Sequence, residues 1–161
     1  MDATAERAWV AAGIGSSKLV RERDRLVIVT EYGMLNPKST QAYRLGIFSF
    51  QLRGTAYYPN AVKAGRLTPG APLRLVREPA NAHDTNAIAV YAEGAYQQVG
   101  YVNKQRAKRL AALMDSGADV AAISLRGAGS GREGEVPYVL ACERHIMDHL
   151  TRMVPKNRED R

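Results

Sequence analysis

The chain has 161 residues, 45% of them hydrophobic and 24% charged, and carries a formal charge of +7. That length favours one domain with a sizeable core, and the balance is that of an ordinary soluble globular protein rather than a disordered one. No apolar run approaches the roughly 20 residues a spanning helix needs, the start lacks the pattern of a secretion signal, and a single cysteine, Cys142, excludes a disulfide scaffold. A reducing, cytoplasmic setting with no membrane partner is therefore expected. Lys and Arg outnumber Asp and Glu by 7 to 5 in residues 1–45, 12 to 8 in 46–145 and 4 to 3 in 146–161. The spread excess fits a polyanionic partner, foremost nucleic acid, and also fits a basic protein that is merely soluble.

Residues 1–45 read as an N-terminal extension, with a short helix at Ala3–Ala12, a basic stretch at Lys18–Arg25 and a strand at Leu26–Thr30. Gly33, Asn36, Pro37, Lys38 and Ser39 make a turn-rich connector. From residue 46 short strands follow one another. Ile47–Arg53 alternates apolar and polar positions until Gly54. Tyr57–Lys63 reads as a brief helical turn, and strands are expected at Leu73–Val76, Ala87–Tyr91 and Gln98–Val102, the last two joined through Glu93-Gly94. Asn103 caps one clear helix, with Ala107, Leu110, Ala111 and Met114 at helical spacing, Gly117 as its stop, and Lys108 and Arg109 on the solvated face. Strands at Val120–Arg126 and Val136–Arg144 close a core that ends at residue 145, leaving 146–161 as a basic tail. The expected class is mainly β with one or two helices (α+β), a small barrel of oligonucleotide-binding (OB) or SH3 type.

Arg77-Glu-Pro-Ala-Asn81-Ala-His83-Asp84-Thr-Asn86 packs turn formers and polar ligand groups into ten residues ahead of a strand. Pro79 keeps Glu78 out of the helical region, and Asn81, Asp84 and Asn86 bond readily to their own backbone, so an ordinary Asx-type turn also accounts for the loop. Adjacent Tyr57 and Tyr58 fit a covered core edge or a platform on which bases stack, with Tyr101 beside them. Gly129-Ser-Gly131-Arg-Glu-Gly134 has the spacing of a phosphate loop, yet a strand follows where a helix is needed, and a hairpin loop is the better reading. Cys142, His145 and His149 have ligand-like spacing without an evident fourth ligand, and read as surface histidines rather than a metal site. The acid pairs Glu78/Asp84 and Glu133/Glu135 read as surface charges. Neither a nucleophilic triad nor a P-loop is present, so no catalysis, cofactor or metal is expected.

Gly54-Thr-Ala-Tyr57-Tyr58, then Leu73 through Val90, then Val99-Gly100-Tyr101-Val102 together resemble the HIRAN domain family over residues 46–145. The resemblance implies an OB-like β-barrel that binds single-stranded DNA and, in helicase-like fork-remodelling members, a free 3′ end. It implies that Tyr57 and Tyr58 stack on or flank the terminal nucleotides, that Asn81 and Asp84 contact the terminal nucleotide, and that Tyr101 contacts the DNA backbone. His83 falls where the family often has tyrosine, and Ala56 where 3′-end-binding members carry arginine. An ionised Asp84 accepts hydrogen bonds only, so it suits a terminal 3′-hydroxyl and repels an internal phosphodiester.

The reading is thus a non-enzymatic single-stranded DNA-binding module preferring 3′-hydroxyl ends, with DNA repair or replication proteins as candidate partners. Two alternatives stand beside it: a protein-interaction domain without nucleic-acid binding, and a metal-dependent hydrolase using Cys142, His145 and His149.

Overall fold

The structure, a computed structural model, describes residues 1–36, 39–64, 67–92, 97–127 and 137–152. The Gly129-to-Gly134 string, the Glu93-Gly94 connection, Glu133, Glu135, Pro37, Lys38 and the tail past Arg152 lie outside the described residues.

Alternation along the chain produces the strands. In β4 (Phe48–Gln51), Phe48 and Phe50 enter one apolar core, joined by Leu52 just after the strand. Ile47 joins a different cluster on the opposite side, as the two-residue period of a strand requires. With β5 (Pro72–Arg77), β6 (Ile88–Ala92), β7 (Gln97–Tyr101), β8 (Val120–Arg126) and β9 (Tyr138–Glu143), β4 forms an antiparallel sheet in the order β4-β9-β8-β5-β6-β7. Pro72 stands at the first position of β5, where its missing N–H is tolerated. The chain past β4 returns to the far edge. Arg53 N donates to Tyr101 O at 2.9 Å and Tyr101 N to Arg53 O at 2.8 Å, so the six strands close on themselves. This is the expected small OB-like barrel.

Closure sets a steric condition at Gly100. A Cβ there would stand 2.7 Å from the Arg53 carbonyl oxygen and 3.5 Å from Leu52 Cβ. Gly54, at φ +73°, then turns the chain away from the seam into a 3-10 turn at Thr55–Tyr57.

Beyond the one or two helices expected, the described residues hold five α-helices: α1 (Ala3–Ala12), α2 (Thr40–Arg44), α3 (Pro59–Ala64), α4 (Lys104–Asp115) and α5 (Arg144–Arg152). Helix α4 behaves as its pattern predicts. Asn103 Oδ1 accepts from Gln105 N at 2.9 Å, and Ala107, Leu110 and Ala111 are buried in the barrel core. Lys108 and Arg109 are exposed as expected, and Arg109, with the half-buried Arg106, also sets its guanidinium group over the Tyr43 ring, at 4.8 and 4.9 Å from its centre respectively.

The basic stretch near residue 20 is a hairpin. Strands β1 (Lys18–Glu22), β2 (Arg25–Thr30) and β3 (Gly33–Met34) form a second antiparallel sheet. It packs Leu19, Leu26 and Ile28, with Trp9 of α1, against Ile123, Leu125, Leu140 and Cys142 of β8 and β9 and against Ile146, Met147 and Leu150 of α5. Trp9 is fully buried, and its indole N–H donates to Ser17 Oγ at 2.8 Å. Strands β8 and β9 therefore face apolar groups on both sides and read as continuous apolar runs.

Gly100→Ala is expected to force the seam open at a cost of about 1–3 kcal/mol. A thermal melt followed by circular dichroism should show Tm falling by several degrees; an unchanged Tm would mean that the seam tolerates a Cβ.

Candidate nucleic-acid interface

The β5–β6 connection is ordered by Arg77, the last residue of β5. Its Nη1 donates to Ala87 O at 2.8 Å and its Nη2 to Thr85 O at 3.0 Å, tying down the returning end of the loop. The same guanidinium holds Asp115 of α4 in a two-point bond, Nε to Oδ1 at 2.9 Å and Nη2 to Oδ2 at 3.1 Å. The planar fork suits this double task, serving loop and helix at once.

Inside the loop, Asn81 Oδ1 accepts from the amides of His83 (2.9 Å) and Asp84 (3.1 Å), and Asp84 Oδ1 accepts from Asn86 N at 2.8 Å. The Asx-type turn anticipated as the ordinary explanation is therefore present. Asn81 Nδ2 donates to Glu78 Oε1 at 3.0 Å, and Tyr101 Oη donates to the same oxygen at 2.9 Å. Glu78, read from sequence as a surface charge, is the joint between the loop and the seam. The Gln98 amide pulls the Tyr101 phenol down, but burial, the bond to Glu78 and the neighbouring Glu78 and Tyr58 leave it above the ordinary tyrosine value. Its hydroxyl stays protonated and donating at neutral pH.

The two adjacent tyrosines part company. Tyr58 is half-buried and packs against the barrel core, close enough to Tyr101 to act on its titration. Tyr57, at the end of the 3-10 turn, is 85% exposed. The structure thus gathers Tyr58, Tyr101, Glu78 and Asn81 at one end of the barrel, with Asp84 half-buried and His83 exposed on the adjoining loop. Among the described residues, no hydrogen bond joins the side chains of Tyr57 or His83 to that network.

Groups remain to meet a ligand. An ionised carboxylate offers about four acceptor positions, and the Asn86 amide uses one of those on Asp84. Asn81 keeps one N–H. Arg53, exposed and paired through its backbone with Tyr101, supplies a cation that sequence reasoning passed over. Its signal was its place between the Ile47–Arg53 strand and Gly54, which becomes meaningful once the partner strand is known.

The Cys142 set is arranged differently. Cys142 is fully buried on β9, and burial pushes its thiol up to about 12. His149 Nε2 lies 3.2 Å from Gly15 O, tying α5 to the N-terminal segment. Among the described residues, no group of three His, Cys, Asp or Glu side chains is placed to hold a metal, and no helix is long and apolar enough to cross a membrane.

The Arg77 bond holds the Asp115 carboxyl below its usual range, against a smaller opposing effect of burial. Its stabilising share is present above the unfolded carboxylate value, roughly 3.9, and is lost as pH falls through the lower folded value. Below about pH 4 the wild type should lose more Tm than Asp115→Asn, and parallel melting curves would show that the pair contributes nothing.

No curated protein matches this chain. Among solved structures, the chain is similar to the HIRAN domain of human HLTF in a crystal structure, at 25% identity and TM-score 0.48 over 65% of this chain and 83% of that one. A crystal structure of a Lactobacillus plantarum protein matches at 22% identity and TM-score 0.45 over 61% of this chain and all of that one. An NMR structure of the HLTF HIRAN domain matches at 24% identity and TM-score 0.43, covering 65% of this chain and 82% of that one. The HIRAN domain profile itself matches residues 45–134, more than half of the sequence, from three residues before β4 through all of the seam, loop and α4. The chain belongs to the HIRAN domain family.

Proposed function

We propose that this protein is a non-enzymatic module that binds single-stranded DNA and prefers free 3′-hydroxyl ends, delivering DNA repair or replication proteins to them. Membership of the HIRAN domain family supports the coarser part, a DNA-binding module. The observation that carries the reading is Tyr57. An aromatic ring left 85% in water beside a closed basic barrel forgoes its burial energy unless something covers it, and a nucleobase is a flat, sequence-tolerant cover.

In this reading the terminal base stacks on Tyr57, with Tyr58 and Tyr101 flanking the sugar and backbone. Arg53 neutralises a phosphate where Ala56 offers nothing. Asn81 gives its spare N–H to the terminal nucleotide, His83 lies along it, and Asp84 accepts a hydrogen bond from the 3′-hydroxyl. A 3′-phosphate at that point would bring a second negative charge against the carboxylate. Selection of an end then comes from repulsion of the wrong group as much as from attraction of the right one.

Tyr57→Ala is expected to weaken binding of a short single-stranded oligonucleotide by roughly 1–3 kcal/mol while Tm stays put, as measured by fluorescence anisotropy and a parallel melt. Unchanged affinity would remove the stacking role. Asp84→Asn retains an acceptor for the Asn86 amide and removes the charge. It should equalise affinities for 3′-hydroxyl and 3′-phosphate oligonucleotides that differ in the wild type; a wild type that binds both equally would sink the end-reading claim. Binding should weaken as salt rises. Salt-insensitive capture of a protein partner without DNA binding would instead favour an interaction domain.

A further inference from the structure

Strand β4 has a second use. On the side away from the barrel core, Ser49 and Gln51 line a cavity of about 280 Å³ between the N-terminal hairpin and the outer faces of β4, β8 and β9. Its walls are apolar, from Leu26, Ile28, Leu35, Ile47 and Leu125, with Met34 exposed beside it. Into this setting the fold brings polar groups of a particular kind. Ser49 is 96% buried, with 4% of its surface exposed, and its Oγ has no hydrogen-bond partner among the described residues. A buried hydroxyl left so is destabilising unless a ligand or solvent meets it.

Asn36 and Gln51 add amides, each a donor and an acceptor, and Tyr138 adds a phenol. Burial raises the phenol against the opposing pull of Arg106 and Arg126, so it remains a protonated donor at neutral pH. Two arginines, Arg126 and Arg25, line the cavity and no acid does so among the described residues; Arg25 also reaches Glu22, at 3.8 Å, and Arg126 is engaged elsewhere as well. The size lies at the small end of ligand pockets. An inorganic anion would leave the apolar walls unused, and an aliphatic acid would leave the Ser49 hydroxyl and the Gln51 amide unused. A flat heterocycle with a mixed donor and acceptor edge, carrying one phosphate, uses all of them.

We infer that this cavity is a second ligand site, independent of the interface around Tyr101, that takes a nucleoside monophosphate: its base lies between the hairpin and the barrel, and its phosphate meets Arg126 and Arg25. The base edge bonds to the Ser49 hydroxyl and the Gln51 amide, and the rings replace water against Leu26, Ile28 and Leu125. The same chemistry is available from a free nucleotide or from one nucleotide of a strand.

The test is calorimetric titration of the full chain with deoxyadenosine monophosphate, deoxyadenosine, inorganic phosphate, octanoate and a short oligodeoxyadenylate. Saturable binding of the monophosphate is expected, weaker by roughly tenfold or more for the nucleoside or phosphate alone. Arg126→Gln should weaken it by roughly tenfold and Ser49→Val by roughly fivefold, while Tyr57→Ala leaves it unchanged. If Arg126→Gln lowers Tm, Ser49→Val decides. An oligonucleotide that competes with the monophosphate in Tyr57→Ala protein would place the source in a strand; one that does not would place it in free nucleotide. Absence of saturable monophosphate binding, octanoate binding as tightly, no effect of Ser49→Val, or loss of binding in Tyr57→Ala would each overturn the assignment.

Discussion

Two backbone hydrogen bonds between Arg53 and Tyr101 hold the candidate interface in register. Without them the sheet would be an open ribbon with β4 and β7 as free edges, and unpaired edge groups invite other strands. With them, residues nearly fifty positions apart stand opposite one another. The turn carrying Tyr57 then leaves the barrel beside the strand end carrying Tyr101. The close approach leaves no room for a Cβ at position 100, so the glycine between Val99 and Tyr101 is a condition of closure rather than a source of flexibility.

The seam reaches the β5–β6 loop through one carboxylate oxygen. Glu78 Oε1 accepts from both Tyr101 and Asn81, and Asn81 in turn fixes the amides of His83 and Asp84. From the other side Arg77 anchors the loop's return and joins it to α4 through Asp115. A polar network whose members are each bonded rigidifies what it holds. Side chains facing a ligand from such a loop are ordered beforehand, which lowers the entropy lost on binding. Turn formation and recognition are therefore not competing explanations for Asn81 and Asp84. The bonds that shape the loop leave an N–H on one and acceptor positions on the other.

Strands β8 and β9 carry a second constraint, because they serve two apolar clusters. Ala122, Val139 and Ala141 face the barrel core, while Ile123, Leu140 and Cys142 face the N-terminal hairpin and α5. The outer cluster covers barrel surface that would otherwise be a large exposed apolar patch. At its margin, β2, β3 and β4 leave the cavity that holds Ser49 and Gln51.

Much of this was legible in the sequence. The alternation of Ile47–Arg53, the β-branched run at Leu26–Thr30, the Asn103 cap and the helical spacing of Ala107, Leu110 and Ala111 are local signals, each decided by residues within a few positions. The ordered set of Tyr57-Tyr58, the Asn81-to-Asp84 loop and Val99-Gly100-Tyr101 marked the family and most of the residues proposed as its interface. Other elements carried no such local mark. The hairpin strand Lys18–Glu22 hides one buried leucine among charges, α2 is too short to show a period, and no breaker separates Glu143 at the end of β9 from Arg144 at the start of α5. Glu78 looked like surface charge because its partner Tyr101 lies on another strand, and nothing local marked the roles of Arg77 and Arg53, whose partners lie on α4 and β7. The sequence by itself determined the strand alternation, the helix cap, the turn chemistry of the loop and the basic charge, since these depend on near neighbours. Tertiary structure alone decided which tyrosine packs against the core, which acid is bonded, where the barrel closes and that a cavity remains beneath the hairpin, because each depends on contacts that chain closure makes between distant residues.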